Sequence, residues 1–291
     1  MDIILQLTFA GIGVGSIYAL VALGLVLIYR ATNVVNFAQG DFPMMGAFIL
    51  VVCLLSAGLP YWLSILLSLA GMVVFGAAFN LGVYYPLRNR SYLPVLISTL
   101  GASILVQNII LAFYGPQPAN LPALLPFRGF QIGSVFLDPQ YIVIIGVSAL
   151  LVVLQYLFFE KTLLGKKLQA TSQDKEMAGL LGIPVKRMIM LTFVYSALLG
   201  GIAGILVAPI IYFSITMGNA IALKAFAATI IGGFGDIRGA IIGGIGLGLI
   251  ETFGAAYISV PYKDGFAFVV LFAFLMLLPQ GIFGEKIAEK A

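Results

Sequence analysis

The sequence predicts an all-α, polytopic membrane protein, and three observations predict it. Apolar runs of about 20 residues recur along the chain, each long enough to cross a hydrocarbon core as a helix. Of the 291 residues, 62% are hydrophobic and 9% charged, and the mean hydropathy is +1.12, more apolar surface than a soluble domain needs. One long polar segment, residues 160–187, is set between apolar runs. With two-thirds of the chain in spans of about 20 residues, roughly eight to ten spans result. A single transmembrane domain over residues 1–291 is expected.

The first span reads from Leu7 to Tyr29, with Gly11 and Gly15 on one small-xxx-small face and Arg30 at its cytoplasmic end. It is too long for a cleavable signal peptide. Residues 31–42, ATNVVNFAQGDF, are a polar break. Pro43, placed at the first helical position, starts a short run to about Ala57. Tyr61 to Tyr84 is a long span with Trp62 and Tyr85 among its interfacial aromatics. Arg88 and Arg90 mark a cytoplasmic turn, and Pro94 to Tyr114 returns outward. Residues 115–139 form an outer connection kept from helix by Pro116, Pro118, Pro122 and Pro126, with Arg128 and Asp138 as its charges.

Tyr141 to Phe159 leads into the polar segment. There Thr171 and Ser172 serve as N-caps of a short helix whose first turn holds Asp174 and Glu176, where the helix dipole favours anions. Met177, Leu180 and Leu181 share its apolar face, Gly182 suits a left-handed terminus, and Pro184 prevents continuation. Met188 to Ile211 spans outward with Gly200 and Gly204 on a packing face. Lys224 opens a short run to Ile231, and Gly232 to Gly235 breaks it. Gly239 to Tyr257 and Phe266 to Phe283 complete about eight to nine spans, before a basic tail with Lys286 and Lys290. The segments 43–57 and 220–233 fall short of the roughly 17 residues of a full span and suggest discontinuous helices. Of the 15 Lys and Arg residues, about twelve then lie inside, placing the N-terminus outside and the C-terminus in the cytoplasm.

Composition narrows the chemistry. There is no histidine, so the usual metal ligand and general base are missing, and the lone Cys53 permits neither an internal disulfide nor a thiolate cluster. No catalytic residues, metal or cofactor are expected. The net charge of +4 reflects cytoplasmic lysines and arginines rather than nucleic acid. No Walker A pattern occurs; the string from Leu164 to Lys167 lacks the required glycine spacing and the following Ser or Thr.

Polar side chains within apolar runs mark a candidate substrate pathway: Asn36, Gln39 and Asp41 in the first break, and Ser98, Thr99, Gln107 and Asn108 in the fourth segment. Amides and hydroxyls can bond a small polar solute, though such groups also serve as glue between helices. The break itself favours a path, because non-helical backbone at membrane depth is tolerated only against protein or a water-filled cavity. The match of Phe37-Ala-Gln-Gly-Asp41 with Gly233-Phe-Gly-Asp236 hints at an internal repeat. Glu251, on a face with Gly244, Gly248 and Ala255, suggests a buried hydrogen bond to a neighbouring backbone. Lys224 is expected to snorkel to the outer interface, and Gly235, Gly239 and Gly243 to form a smooth packing ladder.

The runs NFAQGDFPMMGAF (Asn36 to Phe48), LGASILVQN (Leu100 to Asn108), GKKLQATSQDKEMAGLLGIPVKRM (Gly165 to Met188), LKAFAATIIGGFGDIRGAIIGG (Leu223 to Gly244) and LLPQGIFG (Leu277 to Gly284) resemble the branched-chain amino acid ABC permeases, in order and over nearly the whole chain. The likeness is greatest to the H-type subunit, in a family that also holds urea and amide permeases. It departs at Gln39, where many relatives carry His, and at Asp236 and Arg238, where the glycine turn usually lacks charge. The resemblance implies an inner-membrane permease subunit of an ATP-driven importer for branched-chain or related amino acids. Its partners would be a second, M-type permease, two cytoplasmic ATP-binding subunits, a periplasmic solute-binding protein and the lipid bilayer. Glu176-Met177-Ala178 followed by Gly182 is similar to the E-A-A-x-x-x-G coupling motif of ABC permeases. Asp174, Glu176, Met177, Ala178, Leu180, Leu181 and Gly182 would then meet the ATPase. The competing reading is an amphipathic helix lying on the bilayer, but its mixed Asp174, Lys175 and Glu176 suit anionic lipid poorly. The other functional classes are an ion-coupled carrier with Glu251 as relay, a glycine-filtered channel, and an intramembrane enzyme, for which no partnered nucleophile is present.

Overall fold

The computed structural model describes residues 2–124, 129–132 and 135–283. Arg128, Pro126, Lys286 and Lys290, used above for topology, lie outside the described residues, as does Gly284. Every hydrophobic segment expected from the sequence contains a helix, though the last one ends at Leu277, six residues short of the expected Phe283. In chain order these are α1 (Asp2–Thr32), α2 (Asp41–Val51), α3 (Tyr61–Phe79), α4 (Tyr92–Tyr114), α5 (Pro139–Lys161), α6 (Leu163–Gln173), α7 (Lys175–Leu180), α8 (Val185–Ile211), α9 (Met217–Gly232), α10 (Ile237–Tyr257) and α11 (Lys263–Leu277). A small antiparallel hairpin, β1 (Phe130–Ile132) and β2 (Val135–Leu137), lies in the connection before α5. Seven helical stretches are long and apolar enough to cross a membrane. α9, with 16 residues, and α11, with 15, are shorter.

Direction alternates from helix to helix, so the connections fall on two faces. On one, Ala119 and Phe213 exchange backbone hydrogen bonds at 3.0 and 2.9 Å. On the other, Arg30 Nε donates to the Gly235 carbonyl, and the amides of Ile282 and Phe283 donate to Ile231 and Gly232. α6 and α7 lie on this second face, between the ends of α5 and α8. Arg30, Arg88, Arg90, Lys161, Lys166, Lys167, Lys175, Lys186, Arg187 and Arg238 sit at helix ends or in connections on that face.

α1 is the central helix. Ile17 to Val26 is buried almost without interruption, and α10, α8, α9 and α5 all pack on α1. The α1 and α10 axes approach through glycines: a Cβ added at Gly15 would lie 2.7 Å from Ile245 Cα and 2.8 Å from the Gly244 carbonyl oxygen. The expected packing face of Gly11 and Gly15 thus meets Gly244 and Gly248. Gly204 closes in the same way on Pro43 of α2, and Gly239 and Gly243 on Gly232 and Ala228 of α9. Gly235 takes no part in that ladder; it sits in the turn before α10 with φ +98°. By contrast α3, α4 and α5 turn large apolar side chains outward, among them Ile104, Leu105, Leu150 and Val153.

Three local expectations change. Pro43 occupies the third position of α2, not the first, because a 3-10 turn, Phe37–Gly40, leads into that helix. With this turn and a terminal π turn the segment runs Phe37–Ser56, 20 residues, and is not a short span. Thr171 and Ser172 are not N-caps: Thr162 accepts from the Gly165 amide and starts α6, which carries them in its last turns. Asp174 both ends α6 and caps α7, accepting from the amides of Glu176 and Met177 at 2.9 Å.

Candidate functional site

α1 ends two residues beyond Arg30. Asn33 adopts φ 59°, a left-handed conformation that Asn tolerates, and its amide donates to Tyr29. The chain then turns back extended through Asn36, whose side-chain oxygen accepts from the Ala38 amide and so opens the 3-10 turn. This places the break inside the bundle. Gln39 donates to Ser196 at 3.1 Å and to the Val21 carbonyl at 3.4 Å, linking it to α8 and α1. The Phe37 amide donates to Thr99 Oγ1 of α4. Gly40 meets Gly218 of α9 backbone to backbone.

Asp41 is the charge of this region. It is 1% exposed and lies in the first turn of α2, where the helix dipole stabilises a carboxylate. Gln107 Nε2 donates to Asp41 Oδ1 at 2.9 Å and also faces Ser103 at 3.1 Å and Asn219 Oδ1 at 3.2 Å. Asp41 Oδ2 and Asn36 Nδ2 are buried with no hydrogen-bond partner among the described residues. A cleft of about 300 Å³ opens between the break and α9, lined by Asn36, Phe37, Gln39, Asn219, Leu223 and Phe226 among others; Asp41 lies behind this lining. That volume is at the lower end of small-molecule sites. The cleft itself offers the side-chain amides of Asn36, Gln39 and Asn219 and an apolar wall.

The fold thus brings Asn36, Gln39, Asp41, Thr99 and Gln107 to one region. Ser98 and Asn108 stay outside it: the first donates to Val95 and the second to Ile104, both within α4. Asn219 and Ser196 complete the region and were not singled out from the sequence. Asn219 lies outside the apolar run that the sequence opens at Lys224, whereas α9 begins at Met217.

A second buried polar group corrects two expectations. Lys224 does not snorkel. It is 5% exposed, and its Nζ lies 2.7 Å from Glu251 Oε1 and 2.6 Å from Asp264 Oδ1. Glu251 is wholly buried and bonds side chains, not backbone: Tyr18 donates to its other oxygen at 2.8 Å, and Lys263 approaches at 3.3 Å. Four helices, α1, α9, α10 and α11, meet there, and each carboxylate faces a cation. Among the described residues no group of three His, Cys, Asp or Glu side chains is placed to hold a metal ion.

α7 presents a different surface. Met177, Leu180 and Leu181 are 55, 83 and 74% exposed, while Ala178 is buried against the neighbouring helices. Gly182 takes φ +76°, and the amides of Gly182 and Ile183 donate to Gly179 and Ala178. This paired closure of a helix terminus needs the left-handed conformation expected of Gly182. Asp174 is held as cap, Glu176 stays exposed, and burial lowers the pKa of Lys175.

The sequence model of a family described as branched-chain amino acid transport system / permease component matches residues 7–275. The chain is 34% identical to the high-affinity branched-chain amino acid transport system permease protein LivH of Escherichia coli (strain K12), over 98% of this chain and 97% of the relative. It is 35% identical to the corresponding protein BraD of Pseudomonas aeruginosa, over 98% and 97%. It is 30% identical to a probable branched-chain amino acid transport permease protein LivH of Methanocaldococcus jannaschii, over 92% and 89%. No solved structure matches the chain.

Proposed function

Because the chain belongs to the family of branched-chain amino acid transport permease components, we propose that it is one membrane-spanning half of an ATP-driven importer for branched-chain or related amino acids. The relatives' names favour that solute class over urea or short amides. The observation that carries the reading is the break at 33–36, non-helical backbone followed by the 3-10 turn Phe37–Gly40, within the bundle beside an open cleft. Asn36, Gln39, Asp41, Thr99 and Gln107 are assigned to the solute path; Ser98 and Asn108, bonded within α4, are given no part in it. The basic face of α6 and α7 is assigned to the cytoplasm, which puts the N-terminus outside and the chain end inside.

An M-type permease would complete the path, a periplasmic protein would deliver solute, and of the two ATPases one would dock on α7. The exposed face of Met177, Leu180 and Leu181 supports the last assignment, because it is apolar and lies on the charged side of the molecule. The chain alone is expected neither to bind nor to hydrolyse ATP, since its sequence has no P-loop. The test is ATP-dependent uptake of labelled leucine by the purified, reconstituted complex. Uptake that survives ATP depletion and collapses with an ion gradient would make the protein a secondary carrier; passive flux without any ATPase would make it a channel. Leu180→Asp and Gly182→Val probe docking. Both should leave membrane levels normal and release the ATPase, because an unpaired charge in an apolar contact costs several kcal/mol. Full co-purification and coupled transport in both variants would leave α7 an ordinary surface helix.

A further inference from the structure

α5 and α10 both pack on α1. Towards the face of α6 and α7 they stand apart, leaving a lateral cleft of about 470 Å³. Its lining changes along its length. At the face it is Arg30, Arg238, Glu160 and Gln169. Deeper along α5, by about 12 Å for an eight-residue step, it becomes Val152, Val153 and Ile241. Between the two lies Gln155, 3% exposed, with neither amide atom hydrogen-bonded to any described group. A buried amide of this kind calls for a partner entering from the cleft.

The charges facing the cleft are not balanced. Asp236 is engaged as the cap of α10, accepting from Gly239 at 2.6 Å, and Glu160 is paired with Lys166 at 3.0 Å. Arg30 gives its Nε to a backbone carbonyl and Arg238 is exposed, and neither forms an ion pair among the described residues. With Glu160 offset by Lys166, two guanidinium groups stand against the single Asp236 carboxylate, so the cleft is net cationic at its mouth, hydrogen-bonding in its middle and apolar at depth. That order matches one molecule class in a bilayer: phosphate, then ester linkage, then acyl chain. A free anion has no use for the apolar end, and a docked soluble subunit would not reach Gln155.

We infer that this cleft holds one anionic phospholipid, its phosphate on Arg30 and Arg238, its ester region at Gln155 and an acyl chain along Val152, Val153 and Ile241. Such basic pockets between spans are suited to anionic headgroups. The inference needs the chain to sit in a membrane and does not depend on which solute crosses.

The test uses the full chain in vesicles of phosphatidylcholine with about 20 mol% phosphatidylglycerol, whose negative surface attracts basic residues. Tyr156, which lines the cleft and is 62% exposed, is replaced by photoreactive benzoylphenylalanine. Crosslinking should favour phosphatidylglycerol over phosphatidylcholine. Arg238→Gln should cut it about fivefold, and Arg30→Gln with Arg238→Gln about thirtyfold. Arg30 also bonds the Gly235 carbonyl, so Arg238→Gln and Gln155→Leu carry the test where the double variant fails to fold. Equal labelling of the two lipids, loss of labelling on adding inorganic phosphate, crosslinks to protein alone, or no change in Arg238→Gln would each overturn the inference.

Discussion

α9 separates two buried polar groups of opposite character. Asn219 turns toward the break, where Gln107 joins it to Asp41; Lys224, five residues on and so about 140° around the helix, turns toward Glu251. In the Lys224 group each carboxylate faces a cation, and Glu251 uses both oxygens. In the Asp41 group one carboxylate oxygen and one amide nitrogen have no partner, no described cation is bonded to the carboxylate, and a cleft lies alongside. Buried polar groups are ordinarily satisfied. The saturated group is what four packed helices need. The unsaturated one fits the proposed solute path, because donors and acceptors without a protein partner are the ones a solute could use once the path opens. Two faces of one helix thus go with contrasting proposed duties, and substitution should tell them apart.

The largest expected effect is at the saturated group. Lys224→Met would leave Glu251 buried with Tyr18 and Lys263, and breaking a buried pair from one side costs about 3 to 5 kcal/mol. A lower thermal midpoint of the detergent-purified chain and reduced membrane levels should follow. Adding Glu251→Gln should recover most of the loss, because the buried carboxylate, left with only the more distant Lys263, is then removed. If Lys224→Met alone leaves the midpoint unchanged, the group is not a structural clamp and the contrast fails at this end.

Asp41→Asn comes next and should act on transport instead. Asn keeps the size and can still accept from Gln107, so stability should move by less than about 1 kcal/mol. Leucine uptake by the reconstituted complex should fall at least about tenfold, the worth of a single charge-assisted hydrogen bond of about 1.4 kcal/mol or more. A parallel loss of stability and assembly, with transport per folded complex intact, would place Asp41 among the structural residues with Glu251.

How much of this was legible before the structure follows from which forces are local. The spans were, because each is a run of apolar residues whose burial does not depend on its neighbours' identities. The left-handed Gly182 was too, since a helix terminus is closed by residues within one turn. The cap of α7 was misplaced by two to three residues because Thr162 starts a separate helix that runs through Thr171. The partners of Lys224 were hidden for a different reason: Tyr18, Glu251 and Asp264 come from three other helices, and no spacing rule reaches across them. The Asp41 region was half legible. The polar break stood out, while Asn219 and Ser196 come from helices distant in sequence.

The smallest effect is expected where a polar side chain in α4 looks like its neighbours by sequence but not by geometry. Gln107 reaches across to Asp41 and Asn219, whereas the adjacent Asn108 is exposed and returns its amide to Ile104, one turn back at 2.8 Å. Ser98 does the same with Val95 at 2.7 Å. A bond to the residue's own helix carbonyl joins no second element, so removing it leaves no orphan elsewhere. Ser98→Ala and Asn108→Leu should each change stability by less than about 0.5 kcal/mol. Uptake should stay within about twofold, against about tenfold or more for Asp41→Asn, a gap of about 1 kcal/mol. Asn108 offers one further way to sharpen the comparison. If the M-type subunit covers this side of α4, its amide would bond across the interface, and such bonds average about 0.6 kcal/mol. Asn108→Leu would then loosen pairing of the two permeases in detergent while leaving the thermal midpoint of the isolated chain unchanged. A tenfold loss of uptake with pairing intact would instead put Asn108 in the path and show that the solute route runs along the outer side of α4.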